Sequence, residues 1–234
     1  NTRMASKTNN KVTIAYWKIR GLSEPLRLLC EYAEQPYEMI EYDGNNREAW
    51  VKEKTASHPS YANLPYLKDG DLYLVQSHAI LRHLARKNNI VPDTLAAQAL
   101  ADQAGEQIMD LRNAFVIMCY NMGGGEWEAK KNHFLANQLP THLKKLDGML
   151  GKNKFFAGDQ LSWADFHGYE ILKQITLFTK DPLNDNLSAY LSRFEQLPKI
   201  KAYLESERFS KFPINNPSSV WGNMDAHDFQ TLTK

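Results

Sequence analysis

The strongest constraint on this chain is a change of pattern near residue 90. Up to Lys87 the sequence alternates short β-rich runs with helix-period stripes. After the break Asn88-Asn89-Ile90-Val91-Pro92 the strand signals vanish and only helical stripes remain. Before the break, Val12 to Trp17 reads as a strand, and Ser23 can cap a helix whose apolar stripe is Leu26, Leu29, Cys30 and Ala33. Tyr37 to Tyr42 reads as a second strand, followed by a weakly helical polar segment around Trp50. Tyr66 to Lys68 and Leu72 to Val75 flank Asp69-Gly70, the signature of a hairpin. Ser77 can cap a helix with Ile80, Leu81, Leu84 and Ala85 on its inner side. The order β-α-β-(α)-β-β-α predicts a small α/β domain.

Beyond the break, Thr94 can cap a long helix that ends near Tyr120, and Gly123 to Gly125 mark a loop. Phe134, Leu135, Leu139, Leu143, Leu146 and Leu150 form one helical stripe, with a kink expected at Pro140. Ser162-x-x-Asp165 is an acidic capping box that opens another helix. Further helices run to Phe209, and the tail from Pro213 to Lys234 is rich in Pro, Asn and Asp. The expected organisation is a disordered extension over 1–10, an α/β domain over 11–92, and an all-helical domain with its tail over 93–234.

Composition closes off several function classes. The formal net charge is +1, which lacks the basic excess needed to neutralise nucleic-acid phosphates. Cys30 and Cys119 are the only cysteines and form no CxxC pair, so a disulfide scaffold is excluded and a reducing compartment is expected. Both sit in apolar stripes, where a thiol acts as a small hydrophobe. No apolar run is long enough to span a bilayer, and residues 1–10 lack the apolar core of a signal peptide. A soluble, cytoplasmic chain is expected. The seven histidines do not cluster in sequence; His78 and His83, five apart, face different sides of their helix. No HExxH, zinc spacing, GxGxxG or GxxxxGK[ST] occurs, so no metal site is expected.

Four local features carry the chemistry. Tyr16-Trp17 ends the first strand, where α/β folds place ligands, although a core tyrosine satisfies the same pattern. Asn63-Leu64-Pro65 enters the third strand, where a proline cannot donate to the ladder and often marks a cis bond. Gln76-Ser77 opens a helix, whose free N–H groups suit a carboxylate and equally suit an ordinary cap. Trp50 and Lys54 lie four apart on the weak helix, where a solvated face is the competing reading.

Taken in this order and spacing, the four features resemble the cytosolic glutathione transferases, in particular the mu class and its helminth and arthropod relatives. Ala15 to Leu22 is similar to the mu-type opening, and Arg27-Leu28-Leu29 with Glu31-Tyr32 continues it. Asn63 to Tyr66 and Gln76-Ser77 resemble the glutathione-binding segments, Ser162 to Phe166 the cap of the buried helix, and Trp221-Gly222-Asn223 the C-terminus. The resemblance spans Val12 to Asn223. It implies a thioredoxin-like domain followed by an all-α domain, acting as a homodimer that uses reduced glutathione as co-substrate and holds no permanent cofactor. Its other partners would be small hydrophobic electrophiles, with no nucleic acid and no membrane involved.

The resemblance assigns roles residue by residue. Tyr16 would be catalytic. Trp17, Leu22, Trp50, Lys54, Asn63, Leu64 and Pro65 would line the glutathione site. Gln76 and Ser77 would hold the γ-glutamyl end, with Asp110 reaching in from the partner subunit. Tyr120 would stand in the electrophile pocket with Trp17, Leu22, Met109, Arg112, Asn113 and Val116. Where thioredoxins carry a cysteine after the first strand, this chain has Trp17-Lys18-Ile19, which argues against a disulfide reductase.

Some positions depart from the mu pattern. The stretch from Tyr42 to Trp50 is shorter than in vertebrate mu enzymes, Arg112 occupies a place where many of them carry a different residue, and the tail runs past Asn223. Ser23-Glu24-Pro25 is similar to the sigma class, which includes prostaglandin isomerases. Conjugation of electrophiles in detoxification is therefore the leading reading. A glutathione-dependent prostaglandin or lipid isomerase and a non-catalytic ligand-binding protein stand as alternatives.

Overall fold

The computed structural model describes residues 10–43, 47–57, 59–179 and 183–223. The expected N-terminal extension, apart from Asn10, lies outside the described residues, as does the tail after Asn223. The first half contains β1 (Val12–Trp17), α1 (Glu24–Ala33), β2 (Tyr37–Tyr42), α2 (Glu48–Ser57), β3 (Tyr66–Asp69), β4 (Leu72–Val75) and α3 (Ser77–Lys87). The strands form one mixed sheet in the order β2-β1-β3-β4. β1 pairs parallel to β2 across the α1 crossover and antiparallel to β3, with Ala15 opposite both Ile40 and Tyr66. This is the α/β arrangement the sequence pattern predicts. The hairpin turn falls one residue later than expected: Asp69 still pairs with Leu72, which leaves Gly70-Asp71 as the turn, with Gly70 at φ +60°.

Side chains alternate across β1. Val12 and Ile14 join Leu26, Leu29, Ile80 and Leu84 in the main core. Ala15 and Trp17 face the other way, onto a cluster of Tyr42, Trp50, Ala62 and Tyr66. Tyr16 therefore emerges on the α1 and α3 side of the sheet, at the strand's last turn toward the helical half. Ser23 occupies the position before α1 but makes no cap bond. Its backbone is already helical, and its hydroxyl donates instead to the carbonyls of Ile19, 3.3 Å, and Arg20, 3.1 Å.

The second half is helical among the described residues: α4 (Leu95–Cys119), α5 (Trp127–His133), α6 (Leu139–Leu150), α7 (Trp163–Phe178), α8 (Asp185–Glu195) and α9 (Pro198–Leu204). Thr94 caps α4 as expected, accepting from the Ala97 N–H at 3.1 Å. The expected kink at Pro140 takes the form of a π-helical turn, Phe134–Gln138, just before it. Proline has no N–H for the regular ladder and its ring crowds the preceding turn, so the ladder widens there.

α7 is buried along most of its length, and its apolar side chains share one core with α1, α3 and α4. At its N-terminus the Asp165 carboxylate accepts from the Ser162 N–H and hydroxyl, both 2.8 Å, and from the Phe156 N–H, 3.0 Å. That is the acidic capping box, extended to tie down the preceding loop. Where α4 crosses α7, a Cβ on Gly105 would lie 2.0 Å from the Trp163 ring, so only glycine admits the indole there.

Candidate active site

The turn after β1 is fastened from three directions. Arg20 forms a fork-to-fork ion pair with Glu170 of α7, with Nε to Oε1 at 3.0 Å and Nη2 to Oε2 at 2.6 Å, both side chains only 2% exposed. The Arg20 and Gly21 N–H groups donate to the carbonyls of Pro213, 2.9 Å, and Ile214, 3.1 Å, in the C-terminal segment. Gly21 adopts φ +40°, and a Cβ there would sit 2.7 Å from Tyr16 Cε1 and 2.8 Å from its hydroxyl. The turn is thus pressed against the Tyr16 ring, and the Leu22 N–H donates to the Tyr16 hydroxyl.

Burial pushes the Tyr16 phenol above its usual pKa, and the nearby charge of Arg112, the Leu22 N–H and Arg27 only partly offset it. Tyr16 is therefore a neutral phenol at physiological pH. With one lone pair held by Leu22, its O–H remains available to donate.

Two cavities share Arg112, whose charge acts on Tyr16, although Tyr16 itself lines neither of them. The first, about 380 Å³, is walled by the Asn63-Leu64-Pro65 segment, by Gln76-Ser77 and by Leu22. Its far wall comes from α4, through Glu106, Met109, Arg112 and Asn113, with His78 beside Glu106, whose carboxylate is taken up by Arg82 and His78. The Leu64–Pro65 bond is cis, as the sequence suggests. Gln76 sits at φ +74°, a conformation rare for a residue with a side chain, immediately before the first turn of α3. Gln76, not Ser77, is the capping position, and it makes no side-chain cap bond. Ser77 is the first helical residue, so the N-terminal N–H groups of α3 open toward the cavity without a side-chain cap.

The second cavity, about 350 Å³, is walled by Trp17, Arg112, Val116 and Tyr120, with Arg47, Met122, Asn216 and Ser218 at its outer edge. The Tyr120 hydroxyl accepts from the Asn216 N–H at 2.8 Å, so the C-terminal segment that fastens Arg20-Gly21 also fastens Tyr120. Burial raises the Tyr120 pKa, which keeps it protonated.

The structure gathers most of the expected residues but divides them differently. Leu22, expected in both sites, and Met109 and Asn113, expected in the electrophile pocket, line the cavity that holds Gln76 and Ser77. Trp17, Val116 and Tyr120 line the other, and Arg112 borders both. Trp50 and Lys54 line neither. Trp50 is 7% exposed and packs on Tyr42 and Tyr66 with ring centroids 5.4 Å and 6.0 Å apart. Asp110 is exposed on α4 outside both cavities of its own chain.

The histidines, unclustered in sequence, are corrected on one point. His78 Nε2 meets His167 Nδ1 at 2.8 Å across the two halves, and His78 Nδ1 faces Glu106 at 3.3 Å. A fold-level contact between α3 and α7 leaves no trace in spacing. Among the described residues no group of His, Cys, Asp and Glu is arranged to hold a metal ion. Cys30 and Cys119 are buried free thiols whose pKa burial pushes up, which suits packing rather than reaction. Sequence reasoning did not single out Arg47, Glu170 or Asn216.

Comparison with known proteins identifies the family and the fold. Residues 12–86 match the family model for the glutathione S-transferase N-terminal domain, and residues 109–207 match one for the C-terminal domain. The chain is 42% identical over 219 residues to glutathione S-transferase 2 of Gallus gallus, covering 91% of this chain and 98% of that one. It is 40% identical over 227 residues to glutathione S-transferase Mu 5 of Mus musculus, covering 94% and 98%. The crystal structure of the glutathione S-transferase Blo t 8 superposes with a TM-score of 0.81 at 32% identity, over 90% of this chain and 99% of that one.

Proposed function

The chain belongs to the glutathione S-transferase family and is a transferase that conjugates glutathione, and from that premise we propose how its residues divide the work. The observation that carries the reading is the buried, protonated Tyr16 hydroxyl, held by the turn at Gly21-Leu22 and close to the Arg112 charge that borders both cavities.

A free thiol has a pKa of about 8.5, so at neutral pH only a few per cent is thiolate. One O–H···S⁻ bond from Tyr16 stabilises the charged form, and a shift of about two units corresponds to roughly 2.7 kcal/mol. That is within reach of a charge-assisted hydrogen bond in a site largely shielded from water. The carboxylate of the γ-glutamyl end sits on the open N-terminus of α3 at Gln76-Ser77, against the Asn63-Leu64-Pro65 wall. The sulfur then points toward the cavity of Trp17, Val116 and Tyr120, where a hydrophobic electrophile is held for attack. Tyr120 donates to an oxygen that gains charge as an epoxide or enone opens.

The test is Tyr16→Phe, which removes the donor and keeps the ring. Turnover of chlorodinitrobenzene at neutral pH is expected to fall roughly tenfold to a hundredfold, with retention on immobilised glutathione kept. Unchanged turnover and an unchanged thiol pKa in the bound complex would remove Tyr16 from the mechanism.

The domains divide at 92/93, and two copies form a two-fold dimer through the α4 face, with Asp110 of each serving the other's glutathione site. Light scattering should give near twice 26.9 kDa. A fully active monomer would contradict both the interface and the role of Asp110. Detoxification in the cytoplasm, with no resident cofactor, is the setting this chemistry fits.

A further inference from the structure

Among the described residues, three of the buried and half-buried arginines are ion-paired, Arg193 donates to the Lys154 carbonyl at 2.7 Å, and Arg112 has neither kind of partner. Arg20 is held by Glu170, Arg27 by Glu24 and Glu41, and Arg82 by Asp102 and Glu106. Arg112 is partly buried between the two cavities, and among the described residues it has no ion-pair partner. Its guanidinium donates to the side-chain oxygen of its neighbour Asn113 at 3.3 Å. Holding a guanidinium away from water without a counter-charge is unfavourable, so such a group implies an anion that is supplied from elsewhere. Its surroundings sharpen the point. The Trp17–Tyr120 cavity has no acidic residue in its wall, and it carries a second cation, Arg47, whose guanidinium lies 5.9 Å from the Trp17 ring centroid. Arg47 also lacks an ion pair among the described residues. The pocket therefore combines apolar walls with two unpaired guanidiniums, one deep beside Tyr16 and one at the rim.

We infer that the electrophile pocket selects substrates that carry a carboxylate, with Arg112 as its inner anchor and Arg47 as the outer one. This rests on the conjugation reading above and names the substrate class of that same pocket. A planar guanidinium can bind a carboxylate through two parallel N–H···O bonds, which fixes the orientation of the ligand as well as holding it. For an enone acid the chemistry balances without another reactant. The thiolate sulfur forms a bond to the β-carbon, the C=C electron pair moves through to the carbonyl oxygen, and a proton from the medium returns to the α-carbon. The carboxylate is unchanged, and it aligns the β-carbon with the sulfur.

The probe is a matched pair, benzylideneacetone bearing a para-carboxylate and its methyl ester. Each kcat/KM is divided by the rate constant for the same compound with free glutathione, which removes intrinsic reactivity. The wild-type enzyme is expected to favour the acid by about tenfold, the scale of one charge-assisted contact. The ratio should fall toward unity in Arg112→Met and take an intermediate value in Arg112→Lys, which keeps the charge and loses the fork. Arg47→Met should lower it by about twofold to threefold, as suits a rim charge. Added salt should reduce the wild-type ratio, a readout that needs no variant to fold. A wild-type ratio within about twofold of unity, or a preference that survives Arg112→Met or high salt, overturns the inference while conjugation itself stands. Failure to conjugate either compound and chlorodinitrobenzene would overturn the underlying reading, and this inference with it.

Discussion

Replacing Gly21 by alanine tests whether the turn after β1 positions the Tyr16 hydroxyl. The added Cβ would lie 2.7 Å from Tyr16 Cε1 and 2.8 Å from the hydroxyl, whereas ordinary contact begins near 3.4 Å. The ring must retreat by about 0.7 Å, the difference between 3.4 and 2.7 Å, or the turn must lift by as much. A second contact, 3.2 Å from Ile19 Cδ1, limits the escape on the other side. The backbone adds its own penalty, since φ is +40° and a non-glycine residue in the left-handed region costs roughly 1–2 kcal/mol. Overpacking adds a further ~1–3 kcal/mol.

These costs can be separated by assay. Denaturant unfolding reads the stability loss, expected at about 2–4 kcal/mol when the turn relaxes in part. Kinetics reads the displacement: a catalytic group moved by the better part of an ångström costs up to about a hundredfold, so kcat/KM should fall roughly tenfold to a hundredfold. The double variant distinguishes positioning from general damage. If Gly21 acts through the hydroxyl, Gly21→Ala in a Tyr16→Phe background should change kcat/KM by less than about threefold, because the group being displaced is already absent. Full additivity of the two losses, or a single variant with wild-type kcat/KM and thiol pKa, would refute the reasoning.

Two other outcomes are expected. Tyr120→Phe removes both the pocket donor and the acceptor for the Asn216 N–H. Conjugation of an epoxide should slow by about tenfold, while substitution on an aryl halide, which develops charge on a ring, is affected less; equal mutant-to-wild-type ratios for the two would mean that Tyr120 only packs. The His78–His167 pair predicts acid lability. Burial holds both imidazoles below their usual pKa; His78 is raised in part by Glu106 and lowered further by Arg82 and Arg112, and His167 is lowered further by His78 and Arg112. As pH falls below about 6.5 the unfolded chain takes up protons that the folded pair resists, so stability declines. Melting temperature should drop between about pH 7 and pH 5, less steeply in His167→Gln, and an identical slope in the variant would rule the pair out as its source.

The division into a mixed α/β half and a helical half was legible in the sequence because it depends on local periodicity. Strands that alternate across a half-buried sheet and helices with one apolar stripe write their geometry into spacing. The Ser162-x-x-Asp165 box and the Thr94 cap were equally visible, since a cap bond joins residues three apart. The candidate site was legible mainly through short motifs, Tyr16-Trp17, Asn63-Leu64-Pro65 and Gln76-Ser77, each contiguous in the chain. Their grouping into cavities was not legible: Leu22, Met109 and Asn113 line the cavity of Gln76 and Ser77, and Trp50 packs in an aromatic cluster.

Only the tertiary structure decided which groups were left without partners and which were locked in place. The Arg20–Glu170 pair joins residues 150 positions apart, and the Asn216–Tyr120 bond spans 96. His78 meets His167 across 89 positions. Contacts at that range arise when packed layers converge, and no periodicity encodes them. The same holds for the unpaired state of Arg112: a guanidinium looks alike in sequence whether it meets a carboxylate or an empty pocket. Its partner, or the lack of one, is fixed by how α4 packs on α7 and α6 and which side chains that packing leaves beside it.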